Sequence, residues 1–380
     1  MAEALDHRTL DRNEWPDFVM RWTKSERMKV RRERACAFGL CCFLSASAMT
    51  PAKAQSDGAA SSCADIRAQL EEAQQYVHRN NLPRAIQVLR LAFDACPRSS
   101  AAGVELTKAY VAARAFREAE RTAKKVLEID PDSEAAQFLL AYSYFMQERF
   151  AETGKLLGPL LARHPENAGA HKLMGLTLFF YKEYVTAERE LSIAHQKDPD
   201  DREAFYYLGR VYYTQNNFPP AVQVFSSLIA LDPDDYKSSD NLALCYEAMG
   251  RNREAEALFK KAQESTKKKN AAYDWPYANL AELLIKQDRA PEAISYASQA
   301  LQIAPHSARN SYLFGKALAA KGEPEASIPY FQQAIDLDSN YPEPHYALGQ
   351  AYQKLHEAEK AQHEFELFEQ IKKRLPAKKQ

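Results

Sequence analysis

Histidine, cysteine and paired carboxylates are the residues through which a chain of 380 residues would do chemistry, so their spacing is read first. The nine histidines are scattered: His164 stands before Pro165, and His171, His195 and His345 are far apart. His356 and His363, seven residues apart, could share one helix face, but two imidazoles without a further ligand make a weak metal site. No HExxH, no paired CxxC and no Gly-rich phosphate loop occurs. The expectation is a chain with no catalytic residues, no metal and no cofactor. Three of the six cysteines lie at 36, 41 and 42, and the others are Cys63, Cys96 and Cys245. Cys245, between Leu244 and Tyr246, reads as a small buried hydrophobe rather than a nucleophile.

The elements that would position these groups announce themselves by a ruler. Pro97, Pro131, Pro165, Pro199 and Pro233 are each 34 residues apart, and Pro305 and Ser339 repeat the interval. Pro233 to Pro305 is 72, two intervals plus four residues. Around this ruler the apolar residues keep helical spacing. Leu208, Val211 and Tyr212 share one face, and Ala221, Val224, Phe225 and Leu228 share a second. Asn216-Asn217 interrupts the two, and Asp232-Pro233-Asp234 closes the second helix and opens the next. One such hairpin cannot bury its apolar face alone, so the units must stack. Glycine is scarce, at 12 residues, which suits helix throughout.

The pattern resembles the tetratricopeptide repeat family, whose period is 34. Repeat five reads Phe205, Leu208-Gly209, Tyr212, Ala221, Phe225, Pro233, and repeat six reads Leu242-Ala243, Tyr246, Ala255, Phe259, Ala262. Repeat four has Met174-Gly175, Ala187, Leu191, Ala194 and Pro199; repeat eight has Phe314-Gly315, Phe331 and Ala334; the last has Leu348-Gly349, Tyr352, Ala361 and Phe365. The resemblance implies an all-α fold, an α-solenoid (right-handed superhelix) of about nine 34-residue helix-turn-helix repeats. Repeats one to six occupy 66–269, an insertion 270–273, and repeats seven to nine 274–375, with a basic tail at 376–380. Departures fall at Ala123, Thr153 and Leu160, and at Lys267-Lys268-Lys269-Asn270, where the array is expected to break slightly. Gly209 and Ala243 mark the close approach of two helices.

In this arrangement Cys63 precedes the first helix of repeat one and Cys96 ends its second. The two ends of a helical hairpin are neighbours, so Cys63 and Cys96 are a candidate disulfide that would secure the terminal repeat. The family's inner face implies a further set. Carried onto this sequence it is Phe138, Tyr142 and Phe145; Lys172, Leu176 and Phe179; Tyr206, Arg210 and Tyr213; and Trp275, Arg309, Tyr312 and Lys316. Aromatic and Arg side chains are the usual anchors of interfaces, so this strip is expected to be an aromatic groove for a protein or peptide. A polysaccharide stacked on the same aromatics is the alternative. Tyr206 and Leu244 stand where a clamp for a terminal carboxylate would need polar groups, which argues against that mode.

The N-terminus has a different character. Residues 1–27 are polar and without period, and read as an extension before the true start at Met28. From there Lys29, Arg31, Arg32 and Arg34 lead into a 14-residue apolar stretch, Ala35 to Ala48, and then Ala52-Lys53-Ala54. Basic, apolar, small is the order of a signal peptide, here 28–54, with cleavage before Gln55 and a short linker at 55–65. The expected location is therefore periplasmic or extracellular, and cytoplasmic if Met1 is the start. The apolar stretch is short of the roughly 20 residues a membrane span needs, so no stable span is expected after cleavage. The whole chain has a formal charge of -1, which gives no support for a nucleic-acid partner. The expected function is a non-catalytic, exported scaffold, with envelope assembly or secretion as its setting.

Overall fold

The structure is a computed structural model that describes Cys63 and residues 66–374. The expected extension at 1–27, the signal peptide at 28–54, the linker (apart from Cys63) and the tail at 376–380 lie outside the described residues. The chain divides into two compact units, one ending at Tyr207 and the other beginning at Leu208.

Every regular element among the described residues is an α-helix. The first unit holds α1 (Ile66–His78), α2 (Leu82–Ala95), α3 (Ser100–Ala112), α4 (Phe116–Ile129), α5 (Glu134–Met146), α6 (Phe150–Arg163), α7 (Ala168–Phe180) and α8 (Tyr184–Lys197). The boundary falls inside α9 (Arg202–Thr214). The second unit continues with α10 (Phe218–Leu231), α11 (Tyr236–Ala248), α12 (Asn252–Lys268), α13 (Trp275–Lys286) and α14 (Ala290–Ile303). It ends with α15 (Ala308–Lys321), α16 (Pro324–Leu337), α17 (Pro342–Lys354) and α18 (Ala358–Arg374). From α1 to α8, and again from α10 to α18, each helix packs on the next. First helices also touch first helices of the neighbouring pairs: α1 with α3, α3 with α5 and α5 with α7, then α11 with α13, α13 with α15 and α15 with α17. Each unit is thus an α-solenoid stack of helical hairpins.

Local sequence explains why the helices start and stop where they do. Two residues after each ruler proline stands a side chain that caps the next helix. Ser99, Ser133, Asn167, Asp201, Asp235 and Ser307 each accept a hydrogen bond from the backbone N–H three residues on. A second ruler marks the turn inside each hairpin. Asn80, Arg114, Glu148, Lys182, Asn216 and Gly250, each 34 residues apart, have positive φ. Asp288, Gly322 and His356 resume the series after the insertion. A left-handed residue at that point lets the chain reverse within three residues.

The core is built from the small and large residues the repeat alternates. Ala85, Ala119, Ala187, Ala221, Ala255 and Ala293 are fully buried, as are Leu157, Leu191, Phe225, Phe259 and Phe331. Thr153, where the pattern wants alanine, is also fully buried and donates its hydroxyl to the Arg149 carbonyl at 3.0 Å. The expected close approach is present: a Cβ on Gly209 would lie 2.8 Å from Val224 and 2.9 Å from Phe225. The four inserted residues are absorbed in the second unit, where α12 runs to 17 residues and the connection 269–274 carries a further turn at Asn270.

Cys63 and Cys96 are joined by a disulfide, with Cα atoms 5.5 Å apart. It ties the segment before α1 to the end of α2. Cys245 is a buried free thiol, and burial pushes its pKa up to about 12, so it is inert.

Two glycines stand inside α6 without a packing reason. A Cβ on Gly154 or Gly158 would meet nothing within 4 Å. Gly154→Ala and Gly158→Ala should therefore each raise stability by about 0.5–1 kcal/mol, the helix-propensity difference, read as a rise in the urea midpoint.

Candidate functional site

In the first unit the residues singled out on α5 and α7 come together as a set of rings. Phe138, Tyr142 and Phe145 follow one face of α5, and Lys172, Leu176 and Phe179 one face of α7. Phe145 lies 5.6 Å from Phe150 and 5.9 Å from Phe180, and Phe179 lies 5.6 Å from Tyr207. Phe180 stacks on Phe150 at 5.9 Å, and Tyr142 meets Phe116 edge-on at 6.4 Å. All six are buried, which departs from the open strip expected of them. Burial raises the Tyr142 phenol well above its ordinary range, with the Glu203 charge adding to it. Lys172 is not a free cation either: its ammonium sits 2.7 Å from Asp201 and 3.0 Å from Glu203. Tyr206, half-buried on α9, meets Tyr207 edge-on at 5.5 Å.

The second unit gathers the remaining residues differently. Arg210 is half-buried and Tyr213 buried, the latter against Phe218 with ring centroids 5.9 Å apart. From α13 and α15 the structure assembles a mixed polar and aromatic cluster. Arg309 lies over the Trp275 ring at 4.9 Å and donates to the Asn279 side-chain oxygen at 2.9 Å and to Glu282 at 3.0 Å. Asn279 in turn donates to Asp240 of α11 at 2.9 Å, and the Tyr273 hydroxyl donates to the other Asp240 oxygen at 3.2 Å. Burial pushes the Asp240 carboxyl up to about 7, against the pull of these two donors and of Arg309. Burial would also raise Glu282, but Arg309, Lys286 and Lys316 outweigh it and hold the carboxyl below its ordinary range.

Beyond this cluster opens a cleft of about 250 Å³ formed by α15, α16 and α17. Its floor is Ala319, Phe331, Ala347 and Ala351, and its walls carry Tyr312, Tyr346, Gln350, Lys316 and Lys354. Tyr312 packs 6.1 Å from Phe331, and Lys316 lies 5.6 Å from the Tyr312 ring. Neighbouring lysines are held by carboxylates: Lys286 by Glu247 at 2.9 Å and Lys321 by Glu323 at 2.7 Å. Among the described residues no carboxylate lies within 4.0 Å of the Lys316 or Lys354 ammonium. The cleft thus offers two cations, an amide and two phenols over an apolar floor. Sequence reasoning had Tyr312 and Lys316 and missed Tyr346 and Lys354. The signal was available, since Tyr346 stands 34 residues after Tyr312 at the same point of the next repeat.

No group of three or more His, Cys, Asp and Glu that could hold a metal ion occurs among the described residues. No helix among them is long and apolar enough to cross a membrane.

Comparison with known proteins places these observations. Family models described as tetratricopeptide repeat match residues 110–177, 182–236 and 237–306, and one described as TPR repeat matches 315–355. No curated protein sequence matches the chain. Among solved structures, a tetratricopeptide repeat protein from Parabacteroides merdae is similar over 67% of this chain and 99% of its own, at 18% identity and a TM-score of 0.57. The Cut9-Hcn1 hetero-tetramer of the APC/C is similar over 78% of this chain and 57% of its own, at 15% identity and TM-score 0.55. Yeast Tom70 is similar over 81% of this chain and 66% of its own, at 16% identity and TM-score 0.53. At these identities the likeness is one of fold.

Proposed function

We propose, from the premise that this chain belongs to the tetratricopeptide repeat family, that it is a non-catalytic scaffold that holds a segment of another protein against the first helices of its hairpins. The observation that carries the reading is the cleft of α15, α16 and α17. It combines an apolar floor with Tyr312, Tyr346, Lys316 and Lys354. Tyr346 is a large ring left 45% exposed at that point. An apolar depression rimmed by polar groups is what a protein partner recognises, and cations without a carboxylate at its edge favour a segment bearing Asp or Glu.

The setting we propose is the periplasm or the cell exterior, in envelope assembly or secretion. Two features support it: the basic, apolar, small order at 28–54, and the Cys63–Cys96 disulfide, a bond that persists in oxidising compartments. N-terminal sequencing of the protein from its own cells should find Gln55 first; a chain beginning at Met1 would place it in the cytoplasm.

The binding reading is tested by co-purification from native cells with mass spectrometry, run in parallel on the natural chain and on a variant carrying Tyr346→Ala, Lys316→Glu and Lys354→Glu. We expect one protein to be retained by the natural chain, to elute as salt is raised, and to be lost with the variant. An unchanged protein set would remove the cleft from the site. Retention of polysaccharide in place of protein would overturn the reading.

A further inference from the structure

We infer that the cleft of α15, α16 and α17 takes an extended segment in which acidic residues stand two and four places from one apolar side chain, on the same side of it. This rests on the reading of the cleft as the protein-binding site. The first helices that flank it, α15 and α17, are successive copies of one repeat, so they pack side by side and run in the same direction. Their cleft residues fall in order along that direction. Tyr312 and Tyr346 stand at the same point of the two helices, Lys316 and Gln350 one turn later, and Lys354 a further turn on. The valley is therefore aromatic at one end and cationic at the other.

The spacing sets the register of what it holds. A helix rises 1.5 Å per residue, so Lys316 lies about 6 Å beyond Tyr312 along the axis, and Lys354 about 12 Å beyond Tyr346. An extended chain advances about 3.3 Å per residue, so these distances are two and four residues of a strand-like segment. Residues i, i+2 and i+4 of such a segment all project to one face, which is what a one-sided cleft requires. A volume of about 250 Å³ is too small to seat a whole helix about 10 Å across. An apolar side chain thus meets the two phenol rings over Ala347 and Phe331, while the acids reach the lysines. Gln350, exposed between Tyr346 and Lys354 on α17, offers its amide to a peptide group of the segment.

The charges around the cationic end leave those two lysines available. Glu323 takes Lys321 at 2.7 Å, and Glu357 takes Lys360. Glu282 takes Arg309 at 3.0 Å and Lys286 at 3.4 Å, and Lys316 acts on it only from beyond contact distance. The arrangement is not a demand of the repeat. On α13 the places of Tyr312, Lys316 and Lys354 are held by Ala278, Glu282 and Lys286, and that lysine is drawn to Glu247 at 2.9 Å. Ring, cation and second cation in this order belong to this cleft alone among the hairpins of the second unit.

Selection from a phage-displayed library of random ten-residue peptides tests this on the full chain. One selection uses the natural chain. A second uses the triple change Tyr346→Ala, Lys316→Glu and Lys354→Glu, and a third only Lys316→Glu with Lys354→Glu, which leaves the rings and the apolar floor intact. We expect the natural chain to enrich peptides with one apolar residue and acids two and four places from it. In a synthetic copy, glutamine for either acid should weaken binding by roughly threefold, the worth of one exposed ion pair. The double variant should enrich Lys or Arg at the same two places, and the triple variant should lose the pattern. Peptides that depend on the cleft but carry acids four and eight places along, or none, would overturn the extended register and leave the cleft as a protein site. Identical peptides from all three chains, or none above a blank support, would overturn both.

Discussion

Gly175→Val should lower the stability of the first unit by about 3 kcal/mol, the upper part of the range for forcing a methyl-bearing side chain into a filled core. In a unit of this size that is a fall of about 10 °C in the melting temperature, measured by calorimetry or by helical circular dichroism. The cause is local. A Cβ on Gly175 would lie 2.6 Å from Leu191 Cγ, 2.9 Å from its Cδ2 and 3.1 Å from its backbone nitrogen. The first two contacts belong to a fully buried side chain, and the third belongs to backbone, which can move only with α8 as a whole. Other repeats set the scale for smaller changes. Ala141, Ala243 and Ala281 occupy the corresponding place in repeats three, six and seven and are fully buried. Gly175→Ala should therefore be mild, with the better helix propensity of alanine, worth about 1 kcal/mol, offsetting much of the crowding. A valine adds two methyl groups where those repeats carry none, and α7 and α8 must separate to admit them. Because each hairpin leans on its neighbours, the loss spreads to α5 and α6 before the whole unit melts. A melting temperature within a degree or two of the natural chain would show that the interhelical gap is adjustable and that the close approach is not what sets the hairpin angle.

How far the sequence carried the fold can be told from the two rulers. The proline ruler was legible because proline is rare enough to stand out and stops a helix wherever it falls. The turn ruler, with the same period, was not legible. Arg114, Glu148, Lys182 and Asp288 hold left-handed turns that glycine or asparagine would have announced. In those hairpins the packing of the two helices forces the turn, and the residue at its apex tolerates the cost. The capping residues Ser99, Ser133, Asn167 and Asp235 sat in plain view two places after each proline, yet they add to a boundary the proline had already marked. The small residue at Gly209 was read correctly for a related reason: its meaning depends on one neighbouring helix, whose register the ruler sets. The inner face was harder. Which side of a first helix meets other first helices depends on the angle between hairpins, and a sequence period does not contain that angle. Phe138, Tyr142 and Phe145 obey the spacing of an exposed strip and are nonetheless buried. Tyr312 and Lys316 obey the same spacing and line a cleft. The hydrogen bond between His171 of α7 and Glu190 of α8 was invisible for a third reason: 19 residues and a turn separate two groups that meet only after the hairpin closes.

Reducing the Cys63–Cys96 bond, or replacing both residues by serine, should cost the first unit about 3 to 4 kcal/mol, the loop-closure entropy returned to the unfolded chain by freeing a loop of 33 residues. The loss should be uneven. The bond fastens the segment before α1 to the end of α2, and α1 and α2 form the first described hairpin of the stack. An interior hairpin such as α5 and α6 is held from both sides, whereas among the described helices α1 and α2 pack mainly on α3. The cluster beneath them is small: Ala73, Leu89 and Phe93 against Ala102, Leu106 and Ala109, with Ile66 and Leu70 only partly buried. A hairpin with so little apolar surface of its own depends on the covalent tie in a way the interior ones do not. Hydrogen exchange under reductant should therefore show α1 and α2 opening first, with α5 to α8 still protected. Limited proteolysis should cut at the Asn80–Asn81 turn, where Asn80 is left-handed and exposed. The same experiment bears on where the protein works. A chain that needs this bond to keep its first hairpin closed loses that hairpin in a reducing compartment, so the difference between the two melting curves measures how strongly the fold itself favours an oxidising one. Identical curves with and without reductant would mean that the contacts of α2 with α3 hold the hairpin by themselves, and the argument for export from the disulfide would fall away.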